Sequence, residues 1–335
     1  MRTFSATIFG AVLTILALEA LFQCLPVDSG LRLQPTTADM PFTRALSREQ
    51  FVYSHGWAMT NARRGEVNQE GFNNSPDFAD HTKLLIIGDS YIESFMIAYS
   101  NTIQGHLSQQ LNGGVYAAAA SGNGLADSLV LARYYATRIH PRNIVVFVRD
   151  GDMSDILLPP GRGHSGFRVN GDAVDLTYSP YSESRFKRLV LNSALARYIY
   201  FNLKVGVLLA RTPVGNGNQG HSTAELAGRN RALAYYFEQL QALSGELGTR
   251  IIFLVDGARK GIYAGDVSKT WVGDDREYFI TQARRSGFTV ADMQPVFAQH
   301  WAALHERLDF LPSDGHWNSV AHWLAAQQVL PLLSH

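Results

Sequence analysis

The amino-acid sequence predicts an α/β fold in which helices cover both faces of a parallel sheet, preceded by an N-terminal transmembrane helix. Short apolar runs alternate with helical patterns, which is typical of strands buried on both faces of a parallel sheet. An apolar segment of membrane-spanning length stands at the beginning of the chain. The predicted strands are residues 83–87, 115–119, 144–148 and 250–255, with a less apolar one at 288–291. The predicted helices are residues 102–111, 126–139, 224–247, 276–285, 296–308 and 319–333.

The composition is that of an ordinary globular protein and excludes several kinds of site. The 335 residues include 29 basic and 29 acidic side chains, so the charge excess of a nucleic-acid-binding protein is missing. Cys24 is the only cysteine, so neither an internal disulfide nor a cysteine metal cluster can form. The histidines do not stand at metal-ligand spacing. We therefore expect no metal, no cofactor and no nucleic-acid partner.

The N-terminal segment predicts a membrane anchor. Arg2 precedes an apolar run at residues 4–25, which is long enough to cross a hydrocarbon core of about 30 Å. A cleaved signal peptide is the rival interpretation, but the run ends without a small-x-small cleavage site, and we favour an uncleaved anchor. Lipidation of Cys24 is disfavoured because bulky Gln23 stands where a lipidation box has a small residue. Arg2 favours an inside N-terminus, so the rest of the chain is expected to be exported.

The chain divides into three predicted parts. Residues 1–25 form the anchor or signal peptide, and residues 26–80 form a stalk and irregular lead-in without a sustained helical or strand period. Residues 81–335 form the α/β domain. A glycine-rich stretch at about 159–220 interrupts the alternation and is predicted to be an insertion over one end of the sheet. An apolar helix at 188–209 indicates that part of this insertion packs.

Ser90 is the first candidate for catalysis. It follows the first predicted strand in Leu84-Leu85-Ile86-Ile87-Gly88-Asp89-Ser90, at the end of a strand where parallel sheets bind ligands. Gly88 permits a tight turn, and Asp89 can accept backbone N–H bonds. A serine there is reachable, and its own backbone N–H can help to bind an oxyanion. Taken alone, the tripeptide fits an ordinary turn as well.

A serine nucleophile needs a base, and the segment Asp314-Gly315-His316-Trp317-Asn318 supplies one. Only Gly315 separates Asp314 from His316, so a turn lets the carboxylate orient the imidazole. A helix cap followed by a surface histidine explains this segment equally well in isolation. Together, the two motifs predict an enzyme with Ser90 as nucleophile, His316 as base and Asp314 as the orienting acid.

The two motifs resemble those of the SGNH or GDSL-like hydrolases, over roughly residues 80–335. Gly88-Asp89-Ser90 is similar to the first block of that family. Asp314-Gly315-His316-Trp317 resembles the Asp-x-His-Trp form found in alginate O-acetyltransferase-like members. The resemblance implies a flavodoxin-like three-layer α/β/α sandwich.

The resemblance also implies a function and a place in the cell. The activity would be ester hydrolysis or O-acyl transfer, chiefly of acetyl groups, on an exported polysaccharide or cell-envelope glycan. With the predicted anchor and its orientation, the protein would be a single-pass protein of the bacterial inner membrane with its catalytic domain on the periplasmic side. Its expected partners are an acylated glycan or other ester substrate, the membrane, and other polysaccharide-assembly proteins.

The resemblance further implies an oxyanion hole made by three groups. Gly122, which follows the second strand in Ala120-Ser121-Gly122-Asn123-Gly124, is the closest fit to the glycine of the second block. The third block should give an asparagine after the third strand, but Arg149 stands there. Arg149 either replaces that donor or pairs with a neighbouring aspartate, Asp150 or Asp152. The expected oxyanion residues are thus Ser90, Gly122 and Arg149.

Three residues are candidates for substrate binding: Tyr91, Asn123 and Trp317. Aromatic rings stack on sugars, although core packing explains both aromatic residues equally well, and a glycine-rich turn explains Asn123. A different class of function stays open, because Arg149 leaves one expected donor missing. In that alternative the protein is a catalytically weakened relative that binds glycan or scaffolds a membrane assembly.

Overall fold

The computed structural model describes residues 2–78, 82–205, 223–266 and 275–333. The strands are β1 (Gln50–His55), β2 (Thr60–Glu66), β3 (Leu84–Gly88), β4 (Val115–Ala119), β5 (Asn143–Val148), β6 (Ser165–Asn170), β7 (Ala173–Tyr178), β8 (Arg250–Val255), β9 (Thr289–Asp292), β10 (Asp309–Leu311) and β11 (Asp314–Trp317). The helices are α1 (Arg2–Gln23), α2 (Ser90–Glu93), α3 (Ile103–Gln110), α4 (Leu125–Ile139), α5 (Arg185–Asn192), α6 (Ala194–Arg197), α7 (Thr223–Leu247), α8 (Arg259–Ala264), α9 (Asp275–Arg285), α10 (Met293–Leu304) and α11 (Ser319–Val329). Short 3₁₀ turns at Tyr99–Asn101 and Leu330–Leu332 and a π-turn at Tyr198–Asn202 complete the described elements.

The centre of the protein is a five-stranded parallel sheet. Its strands run in the order β4-β3-β5-β8-β9, and each neighbouring pair is parallel. Counted along the chain, this is the 2-1-3-4-5 order of flavodoxin-like folds. The predicted fold class is confirmed.

Helices cover both faces of the sheet because its strands carry apolar side chains on both. Every residue of β3, β4 and β5 is buried. On one face, side chains from α4, α7 and α9 complete the larger core cluster. On the other, α3, α10 and α11 complete a second cluster. The result is the three-layer arrangement that the sequence predicts.

The predicted strands all form, and their observed ends lie within one residue of the predicted ones. Two predicted helices have different ends, for identifiable reasons. Helix α10 begins before the predicted residue 296 because Asp292 caps it, with Oδ1 accepting the N–H of Gln294 at 2.8 Å. Helix α11 gives way to a 3₁₀ turn after Val329, where Pro331 lacks the N–H that an α-helix needs.

The lead-in, residues 26–80, is more ordered in its described part than the stalk that the sequence predicts. It contains the antiparallel β1–β2 hairpin, and both Phe42 and Phe72 are buried in the main core. Phe51 of β1 packs with Val67 in a smaller cluster. Strand β2 is mostly polar and exposed, so the sequence shows no period of two there. The predicted domain limits stay a prediction.

The insertion predicted at 159–220 contains the β6–β7 hairpin, helices α5 and α6, and the π-turn. The continuous helix predicted at 188–209 is wrong in its described part. Ser193 ends α5 and caps α6, because its Oγ accepts the N–H of Ala196 at 3.1 Å. Residues 206–222 lie outside the described residues, and with them the end of the predicted helix.

Helix α1 contains a segment, residues 4–23, that is long and apolar enough to cross a membrane. Near its C-terminal end, the Glu19 carboxylate accepts hydrogen bonds from Ser193 Oγ at 2.7 Å, Ala194 N at 2.8 Å and Leu195 N at 2.9 Å. The N–H groups of Ala194 and Leu195 lie in the first turn of α6, where backbone N–H groups have no partner within the helix. Glu19 therefore fixes the end of the apolar helix to the insertion.

Candidate active site

Ser90 lies where the sequence predicts it, at the carboxyl end of β3 and the start of α2. Asp89 caps this short helix, because its Oδ1 accepts the N–H of Tyr91 at 2.9 Å. Gly88 lets the chain turn tightly, since a Cβ at this position would collide with Ile92. The local sequence thus presents the serine hydroxyl above the edge of the sheet.

Ser90, His316 and Asp314 form a continuous hydrogen-bonded chain. His316 Nε2 lies 2.9 Å from Ser90 Oγ, and His316 Nδ1 lies 2.5 Å from Asp314 Oδ1. The backbone N–H of His316 also donates to Asp314 Oδ1, at 3.1 Å. The acid thus binds both the ring and the backbone of the base. A nucleophile, a base and an orienting acid are placed in series, which is the geometry of nucleophilic catalysis by serine.

The Asp314 carboxylate is held in its ionised form. Burial alone would raise the pKa of Asp314, but hydrogen bonds from His316 and the charge of its ring outweigh burial. The pKa of Asp314 consequently lies below its usual value. An ionised acceptor at Nδ1 keeps the proton on that nitrogen, which leaves Nε2 free to accept the serine proton.

Tyr91 and Arg259 hold the turn that carries His316. Arg259 Nη2 donates to the carbonyl oxygen of Gly315 at 2.7 Å, and the hydroxyl of Tyr91 donates to the same oxygen at 3.1 Å. The Tyr91 ring lies 4.9 Å from the His316 ring, centroid to centroid. Tyr91, proposed from the sequence as a substrate contact, is therefore a positioning residue in this structure.

Trp317 does not occupy the substrate-facing position that the sequence analysis gives it. Its side chain is fully buried, and its indole N–H donates to Asp256 Oδ1 at 2.9 Å. It packs edge-on against Phe147 and Phe297 in the core. An alternating strand explains this placement, because His316 and Trp317 are neighbours in β11 and point to opposite sides.

Gly122 and Asn123 follow β4, as predicted. The positive φ of 90° at Gly122 favours glycine there. Asn123 Nδ2 donates to the carbonyl oxygen of Gly88 at 3.0 Å, so Asn123 joins the ends of β3 and β4. Both residues line a cavity of about 240 Å³ next to His164, whereas Ser90 lines a different one. The role of the Gly122 N–H in binding an oxyanion stays a prediction.

Arg149 bonds to Asp89, a partner that the sequence analysis did not consider. Its Nε donates to Asp89 Oδ2 at 2.7 Å, and its Nη1 donates to the carbonyl oxygen of Asp150 at 2.6 Å. The carboxylate of Asp152 lies 3.8 Å from Nε. Burial raises the pKa of Asp89, and the charge of Arg149 opposes that rise. Arg149 is therefore bonded to the residue that caps the helix of Ser90, and its role as an oxyanion donor stays a prediction.

We expect Arg149→Met to destabilise the protein by about 1–3 kcal/mol, because it leaves the buried Asp89 carboxylate unpaired. The effect is smaller than for a fully buried pair, since the Arg149 side chain is 33% exposed. In the Asp89→Asn background, where the cap oxygen remains but the charge is gone, the same change should cost clearly less. Chemical denaturation of the four proteins measures this coupling. If the losses in free energy of unfolding of the two single variants simply add in the double variant, Arg149 does not stabilise the protein through Asp89.

No family model and no curated protein matches this sequence. Several solved structures are similar to this chain at low sequence identity. A lipolytic G-D-S-L protein from Veillonella parvula is 11% identical, with a TM-score of 0.38, over 74% of this chain and 96% of that one. The acetyl xylan esterase AlAXEase is 12% identical, with a TM-score of 0.44, over 75% and 100%. An alpha/beta hydrolase enzyme from the Lake Arreo metagenome is 15% identical, with a TM-score of 0.43, over 76% and 95%.

The strand order and the placement of the three site residues decide the fold type. A serine after the first strand of the sheet meets an Asp-x-His turn that precedes the last helix. This arrangement is the one that the resemblance to the SGNH or GDSL-like hydrolases predicts. The finer resemblance to alginate O-acetyltransferase-like members stays a prediction.

Glu93 is a buried acid of this site that the sequence does not predict. It lies in α2, one turn after Ser90, and lines the same cavity. Its Oε2 accepts the backbone N–H of Ser121 at 2.8 Å and also the Ser121 hydroxyl. Burial raises the pKa of Glu93 to about 7, although the bonds from Ser121 act in the opposite direction. A lone glutamate in a helix gives no signal in the sequence until the fold buries it.

The Glu93 pKa predicts a stability change with pH. Because the folded pKa of about 7 exceeds the unfolded value of 4.5, this group contributes stability below pH 4.5 that is lost as pH rises through 7. The loss should total about 3 kcal/mol. We expect Glu93→Gln to remove this part of the pH dependence. Denaturation between pH 4 and 8 measures it, with the exposed Glu246→Gln as control; equal pH slopes for wild type and Glu93→Gln would contradict the assignment.

The three hydrogen-bonded residues Ser90, His316 and Asp314 open into a cavity of about 420 Å³. Ser90, Asp314 and His316 line it together with residues from the lead-in and the insertion. The sheet positions Ser90, and the lead-in and the insertion supply most of the cavity wall. The cavity leaves room for a ligand of substantial size beside the Ser90 hydroxyl.

Proposed function

We propose that the protein is a serine esterase or O-acyltransferase that works through an acyl-serine intermediate. The observation that carries this proposal is the unbroken series of hydrogen bonds from Ser90 Oγ through His316 to Asp314. The series satisfies the geometric requirement for a nucleophile activated by an oriented base.

The first half of the reaction acylates Ser90. His316 Nε2 takes the proton from Ser90 Oγ as that oxygen attacks the ester carbonyl carbon. The N–H groups of Ser90 and Gly122 would bind the oxyanion that develops. When the intermediate collapses, the carbon–oxygen bond to the alcohol breaks, and His316 gives its proton to the leaving oxygen. Asp314 keeps the imidazole in place during both transfers.

The second half regenerates the serine. Water gives a free acid and makes the protein an esterase, whereas a sugar hydroxyl gives a new ester and makes it an O-acyltransferase. The proposed acceptor or substrate is an exported polysaccharide or cell-envelope glycan. The resemblance of Asp314-Gly315-His316-Trp317 to alginate O-acetyltransferase-like members supports this choice, as does the apolar helix at residues 4–23. The proposed location is the inner membrane, with residues 26–335 on the periplasmic side and other polysaccharide-assembly proteins as partners.

Mass spectrometry of Ser90 tests the reaction type. The protein is incubated with acetylated glycans, with and without unacetylated acceptor sugars, and the Ser90 peptide and the products are analysed. An acetyl group on Ser90 with free acetate as the only product indicates an esterase. Transfer that depends on the acceptor indicates an O-acetyltransferase. A product that forms in Ser90→Ala at the wild-type rate would contradict the proposal.

A catalytically weakened protein that binds glycan or scaffolds a membrane assembly is the second candidate. The observation in its favour is that Arg149, where the family pattern expects an asparagine donor, is bonded to Asp89 and Asp150. Loss of one oxyanion donor costs about a hundred- to a thousandfold in rate. Glycan binding without labelling of Ser90 by a fluorophosphonate would favour this candidate.

A further inference from the structure

The cavity beside Ser90 is much larger than an acetyl group requires. Its volume of about 420 Å³ falls in the range of sites that enclose drug-sized ligands, about 300–1,000 Å³. An acetyl group has only one methyl group and would leave most of such a site unfilled. Apolar side chains form much of the wall, and an alkyl chain that lies against them gains binding free energy with each methylene that it buries. The apolar lining includes Leu31, Leu33, Phe51, Val52, Phe95 and Phe201.

Hydrogen bonds between the lead-in and the insertion hold the cavity wall together. Asn202, in the π-turn of the insertion, is buried and bonds to the lead-in through both ends of its amide. Its Oδ1 accepts the N–H of Asp28 at 3.0 Å, and its Nδ2 donates to Ser54 Oγ at 2.9 Å. The two segments that line the cavity are thereby locked to each other around it.

The same wall is joined to the apolar helix α1. Phe22, near the end of α1, stacks on Tyr198 of the π-turn with the ring centroids 4.4 Å apart. The Tyr198 hydroxyl donates to the carbonyl oxygen of Trp57 at 2.8 Å, and the side chain of Trp57 is exposed. With the bonds from Glu19 to the start of α6, these contacts place the cavity wall at the end of the segment that is proposed to cross the membrane.

The surface next to α6 has the character of a membrane interface. In α5, the apolar side chains of Phe186 and Leu189 are 67% and 68% exposed. The exposed Arg185 and Arg188 interleave with them. Helices that combine exposed apolar side chains with basic ones bind the headgroup region of anionic bilayers.

The cavity also carries charge suited to a phosphate. Lys187 and the exposed Lys204 line it. Three acids line it as well: Asp28, Glu93 and Asp314. Burial raises the pKa of Asp28 and of Glu93 and so weakens their negative charge, whereas the Asp314 carboxylate is bonded to His316 Nδ1. A phosphodiester headgroup with an alkyl chain matches both the charge and the apolar lining.

We propose that the cavity beside Ser90 binds the acyl chain of a bilayer glycerophospholipid, and that this lipid is the acyl donor. The proposal rests on the acyl-serine of the proposed function and replaces acetyl by a fatty acyl group. Ser90 Oγ attacks the ester carbonyl carbon, and the bond from that carbon to the glycerol oxygen breaks. His316 carries the Ser90 proton to that oxygen, so a lysolipid leaves while the acyl group stays on Ser90. Water or a sugar hydroxyl then takes the acyl group.

Vesicles of defined composition test the donor. The full chain is reconstituted with palmitoyl-oleoyl phosphatidylglycerol and phosphatidylcholine, and both the Ser90 peptide and the lipids are analysed by mass spectrometry. We expect a palmitoyl or oleoyl adduct on Ser90 and an initial burst of lysolipid of up to one molecule per protein. Neither should form with Ser90→Ala.

A chain-length series tests the cavity itself. With p-nitrophenyl esters of two to ten carbons, kcat/KM should rise with chain length. Leu33→Trp, which fills the cavity, should lower the decanoate-to-acetate ratio of kcat/KM at least tenfold. Leu304→Trp, at an exposed site on α10, is the matched control and should leave that ratio unchanged. The double variant Phe186→Ser and Leu189→Ser should lower the ratio of vesicle lipid cleavage to decanoate cleavage.

The outcomes separate this inference from the function on which it rests. If Ser90 reacts with a fluorophosphonate and cleaves acetate esters, but longer chains react more slowly and no lysolipid forms, the fatty-acyl inference is wrong and the proposed function stands. If decanoate is cleaved well but the vesicle lipid is not, the bilayer donor is wrong. If Ser90 reacts with neither probe nor ester, the proposed function is wrong, and this inference with it.

Discussion

Replacing Ser90 by alanine is expected to lower kcat/KM for ester substrates by roughly 10⁴- to 10⁶-fold. Ser90 Oγ is the oxygen that His316 Nε2 contacts at 2.9 Å, so the variant removes the atom that carries the acyl group. The fold should survive, because Ser90 starts α2 without supplying its cap; that role belongs to Asp89. Initial-rate kinetics on p-nitrophenyl acetate and decanoate measure the loss.

Ser313→Ala is a matched control for Ser90→Ala. Ser313 lies in the same hairpin as His316, but it is exposed, and its hydroxyl lies 3.4 Å from His55 Nε2. We expect this variant to keep activity within a few-fold of wild type. Activity of Ser90→Ala within tenfold of the control would contradict the assignment of the nucleophile.

Asp314→Asn is expected to lower kcat by about 10⁴-fold with little change in structure. An asparagine keeps the size of the side chain but can turn its amide N–H toward His316 Nδ1. The proton of the ring would then move to Nε2. Once protonated, Nε2 can no longer accept the proton of Ser90. The short contact of 2.5 Å between Asp314 Oδ1 and His316 Nδ1 is the reason to expect so large an effect.

The exposed variant Asp172→Asn controls for the loss of one negative charge, since its side chain lies far out in solvent and pairs only at the surface with Arg231. Its kcat should equal that of wild type. A fluorophosphonate should still reach Ser90 in Asp314→Asn, but more slowly. If kcat of Asp314→Asn stayed within tenfold of wild type, Asp314 would not be the orienting acid.

The central sheet and the positions of Ser90, Asp314 and His316 were predictable because their signals are local. Strand β3 is apolar at every position before Gly88, and such a run predicts a strand that is buried on both faces. Ser90 follows that strand directly, and only Gly315 separates the acid from the base. What the sequence leaves open is whether residues 226 positions apart meet, and the distance between Ser90 and His316 answers that.

The features that the sequence did not reveal depend on distant contacts. None of the residues of β2 is buried and most of them are exposed, so no alternating apolar pattern marks the hairpin that helps to build the cavity. Arg149 has two acidic neighbours in sequence, yet its closest carboxylate partner is Asp89, on another strand end. The raised pKa of Glu93 likewise arises only when the folded chain buries it. These cases share one cause, which is that burial and pairing are properties of the fold.

Covalent labelling of the full chain by a fluorophosphonate, followed by peptide mapping, is the most direct test of the central claim. The account predicts one modified peptide, with the adduct on Ser90, and labelling that is at least 10³-fold slower in His316→Ala. An adduct on a different serine, or no adduct on protein whose fold is shown to be intact by circular dichroism, would contradict the claim that Ser90 is a nucleophile activated by His316.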